Sequence, residues 1–172
     1  MMRSDALFVN GVFEGVLQEI VAVQSQLPEQ ILYLQPYSES RIVELAENPP
    51  SVDVPVRLFA SLTTDLNTVH YVAEVVGWDN KQELSAPRLE QLNRIIRSLQ
   101  PGEGGVYETA GPENRKCTNL LHVRRLKRLP KPFSVVLLTK VNDGKPVSPN
   151  RETSGGWAYV WNPEEAWLRE YL

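Results

Sequence analysis

Cysteine is almost missing from this chain: Cys117 stands alone among 172 residues. No internal disulfide can form, so nothing points to an oxidising compartment, and the cytoplasm is the expected location. Histidine is nearly as scarce, with His70 and His122 as its two representatives. With one cysteine they make no metal-ligand spacing, so no metal and no other cofactor is expected. Long apolar runs are missing as well. The first hydrophobic stretch, ALFVNGVFEGVLQEIVAV, is broken by Asn10, Glu14 and Glu19 and has neither a charged lead nor a small-residue cleavage site. It suits neither a signal peptide nor a membrane span, and a soluble protein with no membrane partner is expected.

What is present is enough apolar material for a core. Hydrophobic residues make up 42% of the chain, which at this length suits one domain over residues 1–172. The formal net charge of -3 argues against a uniformly basic nucleic-acid coat, but the charge is unevenly spread. Residues 1–111 hold seven Lys/Arg against fifteen Asp/Glu, whereas residues 115–140 hold eight Lys/Arg and no acid.

Periodicity divides the chain further. Phe13, Val16, Leu17, Ile20 and Val21 repeat at helical spacing, which predicts a helix over 12–24 with Asn10 as its cap. QILYLQPY reads as a strand, and SESRIVELAEN as a short helix capped by Ser38 and stopped by a Pro-Pro pair. VPVRLFASLT and TVHYVAEVVGW read as an antiparallel strand pair. SAPRLEQLNRIIRSLQ reads as a helix with Pro87 in its first turn. A loop of roughly fifteen residues follows, longer than an ordinary connection. NLLHVRRLKRL, FSVVLLTKV and GWAYVW read as strands, with NDG as a hairpin turn, and NPEEAWLREYL as a C-terminal helix over 163–172 capped by Asn162. The expected class is α+β: an antiparallel, barrel-like sheet with flanking helices.

The segment from Ile31 to Trp78, with its helix ESRIVELAENPP, its strand PVRLFASL and its returning strand YVAEVVGW, resembles the core of the PUA-like superfamily, the EVE and ASCH domains in particular. That resemblance implies a small β-barrel whose concave pocket reads a nucleobase, often a modified one, in DNA or RNA. The lysine- and arginine-bearing early motif of ASCH-type amidohydrolases has no counterpart here, so no catalytic residue is carried over, and hydrolysis of a modified nucleoside lacks an identifiable base or nucleophile. The positions matching the pocket-lining loop are Tyr37 and Ser38.

On an unbroken strand, His70, Val72, Glu74, Val76 and Trp78 share one face. Glu74 could then accept hydrogen bonds from a base edge while Trp78 stacks on the ring; alternatively, Glu74 pairs with Arg57 and Trp78 covers a barrel end. RETSGGW brings Arg151 and Trp157 together with paired glycines that allow close approach, in a ligand-facing loop or a simple turn. Arg124, Arg125, Lys127 and Arg128 are the candidate phosphate contacts, with ion pairing to the acidic half as the alternative. PGEGGVYE lacks the ending and context of a phosphate-binding loop, and Cys117 and His122 face opposite sides of a strand. The expected function is nucleic-acid binding, and the resemblance implies recognition of a modified base in the concave pocket. The alternative is a protein partner, with the chain as an antitoxin, immunity or complex subunit.

Overall fold

The computed structural model describes residues 2–102 and 117–172. The expected long loop falls mainly on residues 103–116, Arg115 and Lys116 included, outside the described residues. Six strands form one mixed sheet: β1 (Asp5–Val12), β2 (Leu32–Leu34), β3 (Val56–Leu62), β4 (Asp65–Asn80), β5 (Asn119–Ser134) and β6 (Trp157–Trp161). Their order is β2-β5-β4-β3-β1-β6, with β1 parallel to β3 and every other neighbour antiparallel. The class is α+β as expected. The barrel is not: β2 and β6 are hydrogen-bonded to one neighbouring strand each, and the sheet stays open.

The helices are α1 (Glu14–Gln24), α2 (Val43–Glu47), α3 (Ala86–Leu99) and α4 (Glu165–Leu168). One face of the sheet offers Leu7, Val9, Leu58, Ala60, Ala73, Val75, Leu121 and Val123 to Val16, Leu17 and Ile20 of α1 and to Ile42 and Leu45 beside it. The other face offers Ala6, Phe8, Phe59, Val72 and Phe133 to Val135, Leu138, Val147 and Leu168. The sheet is thus apolar on both sides, which explains why β3 is buried along its whole length.

Several boundaries differ from the sequence reading, each for a local reason. The first apolar stretch is split: β1 takes its front half, and Gly11, at φ +69, turns the chain into α1. Asn10 is therefore a buried strand residue, not a cap; its Nδ2 donates to the carbonyls of Thr153 (3.0 Å) and Gly155 (2.8 Å). Ser38 caps no helix, its Oγ accepting from Ser40 N (3.1 Å) while α2 begins five residues later. Asn162 donates to Arg3 O (3.1 Å), and α4 follows Glu164. FSVVLLTKV is not a strand of its own: β5 runs through Ser134 and a 3-10 turn follows at Val135–Leu137. Ser85 does cap α3, accepting from Arg88 N at 3.3 Å, with proline in the first turn.

Both rims of the sheet are occupied. The Gln100 side chain, fully buried, lies along β2 like a fragment of strand: its Oε1 accepts from Tyr33 N (2.7 Å) and its Nε2 donates to Tyr33 O (2.9 Å). On the far side, Trp161 N donates to Thr139 O (2.9 Å) and Val141 N to Tyr159 O (3.0 Å), so residues 139–141 cover β6.

His122 of β5 supplies a pH-sensitive element within this frame. Its Nε2 lies 2.8 Å from Asp79 Oδ2, and its ring meets Tyr33 edge-on at 5.1 Å. Burial lowers its pKa below the usual 6.5, and the Asp79 carboxylate offsets that only in part. The unfolded chain therefore takes up a proton that the folded ring resists, and stability is lost as pH falls below about 6.5. Urea unfolding at pH 7 and pH 5 is expected to show a fall in stability that is smaller in His122→Gln. Equal falls in the two proteins would rule out His122 as the source.

Candidate ligand-binding sites

A cavity of about 210 Å³ opens on the α1 face, between the end of β1, the start of α1 and the segment that leaves β2. Val9, Val16 and Leu34 form its apolar depth, and Gln35, Pro36 and Tyr37 form a wall. Segment 35–40 reaches this place by crossing from β2 to the β1–β6 side. There Tyr37 O accepts from Gly156 N (2.9 Å), and Ser40 O accepts from Trp157 Nε1 (3.2 Å) and Asn119 Nδ2 (2.6 Å).

Gln35 is the unusual member of the lining. Both its Oε1 and its Nε2 are buried, exposing less than 1 Å² each, and neither has a hydrogen-bond partner. Leaving such groups dry and unpaired costs about 1–3 kcal/mol each. Asn10, by contrast, is fully employed in holding the 153–155 loop against β1, and Gly11 N donates to Ser61 Oγ at 2.9 Å. The glycine is required where it stands, since a Cβ there would lie 2.6 Å from Ser154 Cβ.

The residues singled out as base-binding candidates fall into two groups, separated by the sheet. Tyr37 lines the cavity, with Ser38 next in the chain. Trp157 and Trp78 are on the same face, packed against the α1 core. Trp78 is there because the register of β4 against β5 shifts between Val75 and Gly77, which breaks the strict alternation expected of the strand. Its Nε1 donates to Asn119 Oδ1 (3.0 Å), and Arg41 lies 5.3 Å above its ring. Both indoles thus anchor segment 38–42. Glu74 and Arg151 are on the opposite face, the latter 5.5 Å from the Phe8 ring, where burial lowers its pKa. The expected pairing of Glu74 with Trp78 across one pocket is not formed.

Glu74 is instead bracketed by arginines. Arg124 Nε donates to its Oε1 (2.9 Å) and Arg125 Nη1 to its Oε2 (3.2 Å), while Glu29 bridges the same two guanidiniums at 3.2 and 2.6 Å. Arg124 also donates to Val52 O (2.9 Å). Its three nitrogens are therefore engaged within the chain. Arg57, the cross-strand neighbour of Glu74, turns to Glu165 at 3.4 Å.

The four candidate phosphate contacts are likewise divided. Arg125 has φ +54 and forms a bulge, so Lys127 joins Arg124 on the Val72 face while Arg128 points to the α1 face. An unbroken strand would have put Lys127 with Arg125 and Val123. Arg128 pairs with Glu14 at 3.0 Å and lies 5.8 Å from the Tyr71 ring. Lys127 is exposed and has no ion pair among the described residues.

Gln35 escaped the sequence reading because it sits in LQPY, between a strand and a proline, where a polar residue signals a loop. Among the described residues no group of three His, Cys, Asp or Glu is placed to hold a metal ion, and no helix is long and apolar enough to cross a membrane. These features define an α+β protein with an open mixed sheet and a cavity over one face. No family model, curated protein or solved structure matches the chain.

Proposed function

We propose that the protein binds nucleic acid and takes one nucleobase, plain or modified, into the cavity between β1, α1 and segment 35–38. The unpaired Gln35 amide carries this reading. A primary amide offers a donor and an acceptor side by side, and base edges offer the complementary pair. A turn of the side chain toward the cavity lets a bound base give both atoms the partners they lack in the free protein. Tyr37 on the cavity wall supports the reading with a ring for stacking, a contact worth about 1–3 kcal/mol per base. At about 210 Å³ the space is smaller than the roughly 300–1,000 Å³ of a drug-sized site, which suits a single ring system. Arg128, on the same face and exposed, is the phosphate contact in this reading. The choice of a base as ligand also draws on the PUA-like pattern of Ile31–Trp78.

The test is a Gln35→Leu substitution, which removes both unpaired atoms at nearly constant shape. Fluorescent single- and double-stranded DNA and RNA, plain and base-modified, are titrated at two salt concentrations. The variant is expected to gain about 2 kcal/mol of stability, the lower end for two unpaired atoms, and to bind its best oligonucleotide roughly tenfold more weakly. Wild-type affinity in Gln35→Leu, or no salt-sensitive binding to any oligonucleotide, refutes the reading.

A further inference from the structure

A second cavity, of about 150 Å³, lies on the opposite face of the sheet, where β3, β4 and β5 run side by side. Arg57, Arg125, Lys127 and Glu74 supply its charged lining, with Val72 and Ala73 between them. Of these side chains, Glu74 is already held by Arg124 and Arg125. Lys127 has no ion pair among the described residues. Arg57 is 8% exposed, yet its Nη1 is buried without a hydrogen-bond partner, and its ion pair with Glu165 spans 3.4 Å to a carboxylate that is half exposed.

A buried guanidinium with an unsatisfied nitrogen is expensive to maintain. Neutralisation by proton loss is closed to it, because arginine keeps its charge throughout the ordinary pH range. The remaining remedy is an acceptor with negative charge. The neighbours dictate its kind: two further cations converge from β5, the space is too small for a large ligand, and a tetrahedral oxyanion can accept from several donors at once.

We propose that this cavity binds a small oxyanion of the phosphate class, held by Arg57 and Lys127 with Arg125 at its margin. The site is independent of the base cavity, from which the thickness of the sheet separates it. Glu165 acts as the competitor for Arg57, and the anion displaces it. Free phosphate and a phosphate of a nucleic-acid backbone share this chemistry.

The experiment measures thermal stability of the full chain against inorganic phosphate, with sodium chloride at matched ionic strength as the reference, and separately against a short oligothymidine. Lys127→Ala tests the site, Lys145→Ala removes the same charge from the 140–146 turn as a control, and Glu165→Gln removes the competitor. Saturable stabilisation by phosphate, weakened about tenfold or more in Lys127→Ala, changed less than twofold in Lys145→Ala and strengthened in Glu165→Gln, establishes free phosphate as a ligand. Oligothymidine binding that weakens in Lys127→Ala but not in Lys145→Ala, and that phosphate competes away, establishes the site with the backbone as its source. A phosphate effect no larger than that of chloride together with oligothymidine binding indifferent to Lys127, or equal losses in Lys127→Ala and Lys145→Ala, overturns the proposal.

Discussion

Replacing Glu74 with alanine is expected to lower the unfolding free energy by about 3 kcal/mol. Arg124 is only 7% exposed, so once its 2.9 Å carboxylate partner is gone a charge remains in a place that water barely reaches. Stranding a buried charge typically costs about 3–5 kcal/mol. The lower end applies because Glu29 and Val52 O remain as acceptors for the same guanidinium. Removing both charges together should behave differently: Glu74→Met with Arg124→Leu is expected to recover most of the loss, since apolar residues of similar volume replace buried ion pairs at little or no net cost. Urea unfolding of the two variants decides the matter. A loss below about 1 kcal/mol in Glu74→Ala would place the network among exposed surface pairs.

Gly11→Ala is expected to cost about 3 kcal/mol or more. Two penalties combine at this position. The backbone sits at φ +69, which a non-glycine residue occupies at about 1–3 kcal/mol. The new Cβ would in addition lie 2.6 Å from Ser154 Cβ and 2.9 Å from Ser154 Cα, and overpacking of this kind costs about 1–3 kcal/mol more. Main chain cannot withdraw as a flexible side chain can, so the 153–156 loop must move away from β1. Because Ser154 lines the cavity proposed to take a base, that proposal adds the expectation that the variant loses oligonucleotide affinity at temperatures where it remains folded. Retention of both stability and affinity would mean that the loop yields freely.

Element types were readable in the sequence wherever one pattern held over many residues. The amphipathic repeat of Leu89, Leu92, Ile96 and Leu99, with Ser85 and Pro87 ahead of it, gave α3 nearly to the residue. The β3–β4 pair was equally plain. What failed was inference from alternation within long strands. β4 and β5 each run for 16 residues and contain bulges, and every bulge reverses the faces of all residues beyond it. Hence Glu74 and Trp78, four apart, lie on opposite sides, as do Lys127 and Arg128 relative to the expected grouping. No residue in VAEVVGW or HVRRLKR announces the extra position: Arg125 takes a left-handed conformation that its identity does not favour. That the sheet stays open was likewise illegible, because which strands end as neighbours is settled by long-range pairing, and β1 was concealed at the front of a stretch that also reads as helix.

The Gln100 amide along β2 and the 139–141 segment along β6 have a consequence for how this protein meets others. Along β2 and β6 the outward peptide groups at Tyr33, Tyr159 and Trp161 are already taken, so an extended peptide or a second copy must displace Gln100 or residues 139–141 to join the sheet there. Backbone zippering at these two strands therefore carries the cost of breaking hydrogen bonds already made. A partner arriving at β2 or β6 is thus selected through side chains, by the shape and charge of the two sheet faces and the cavities set into them.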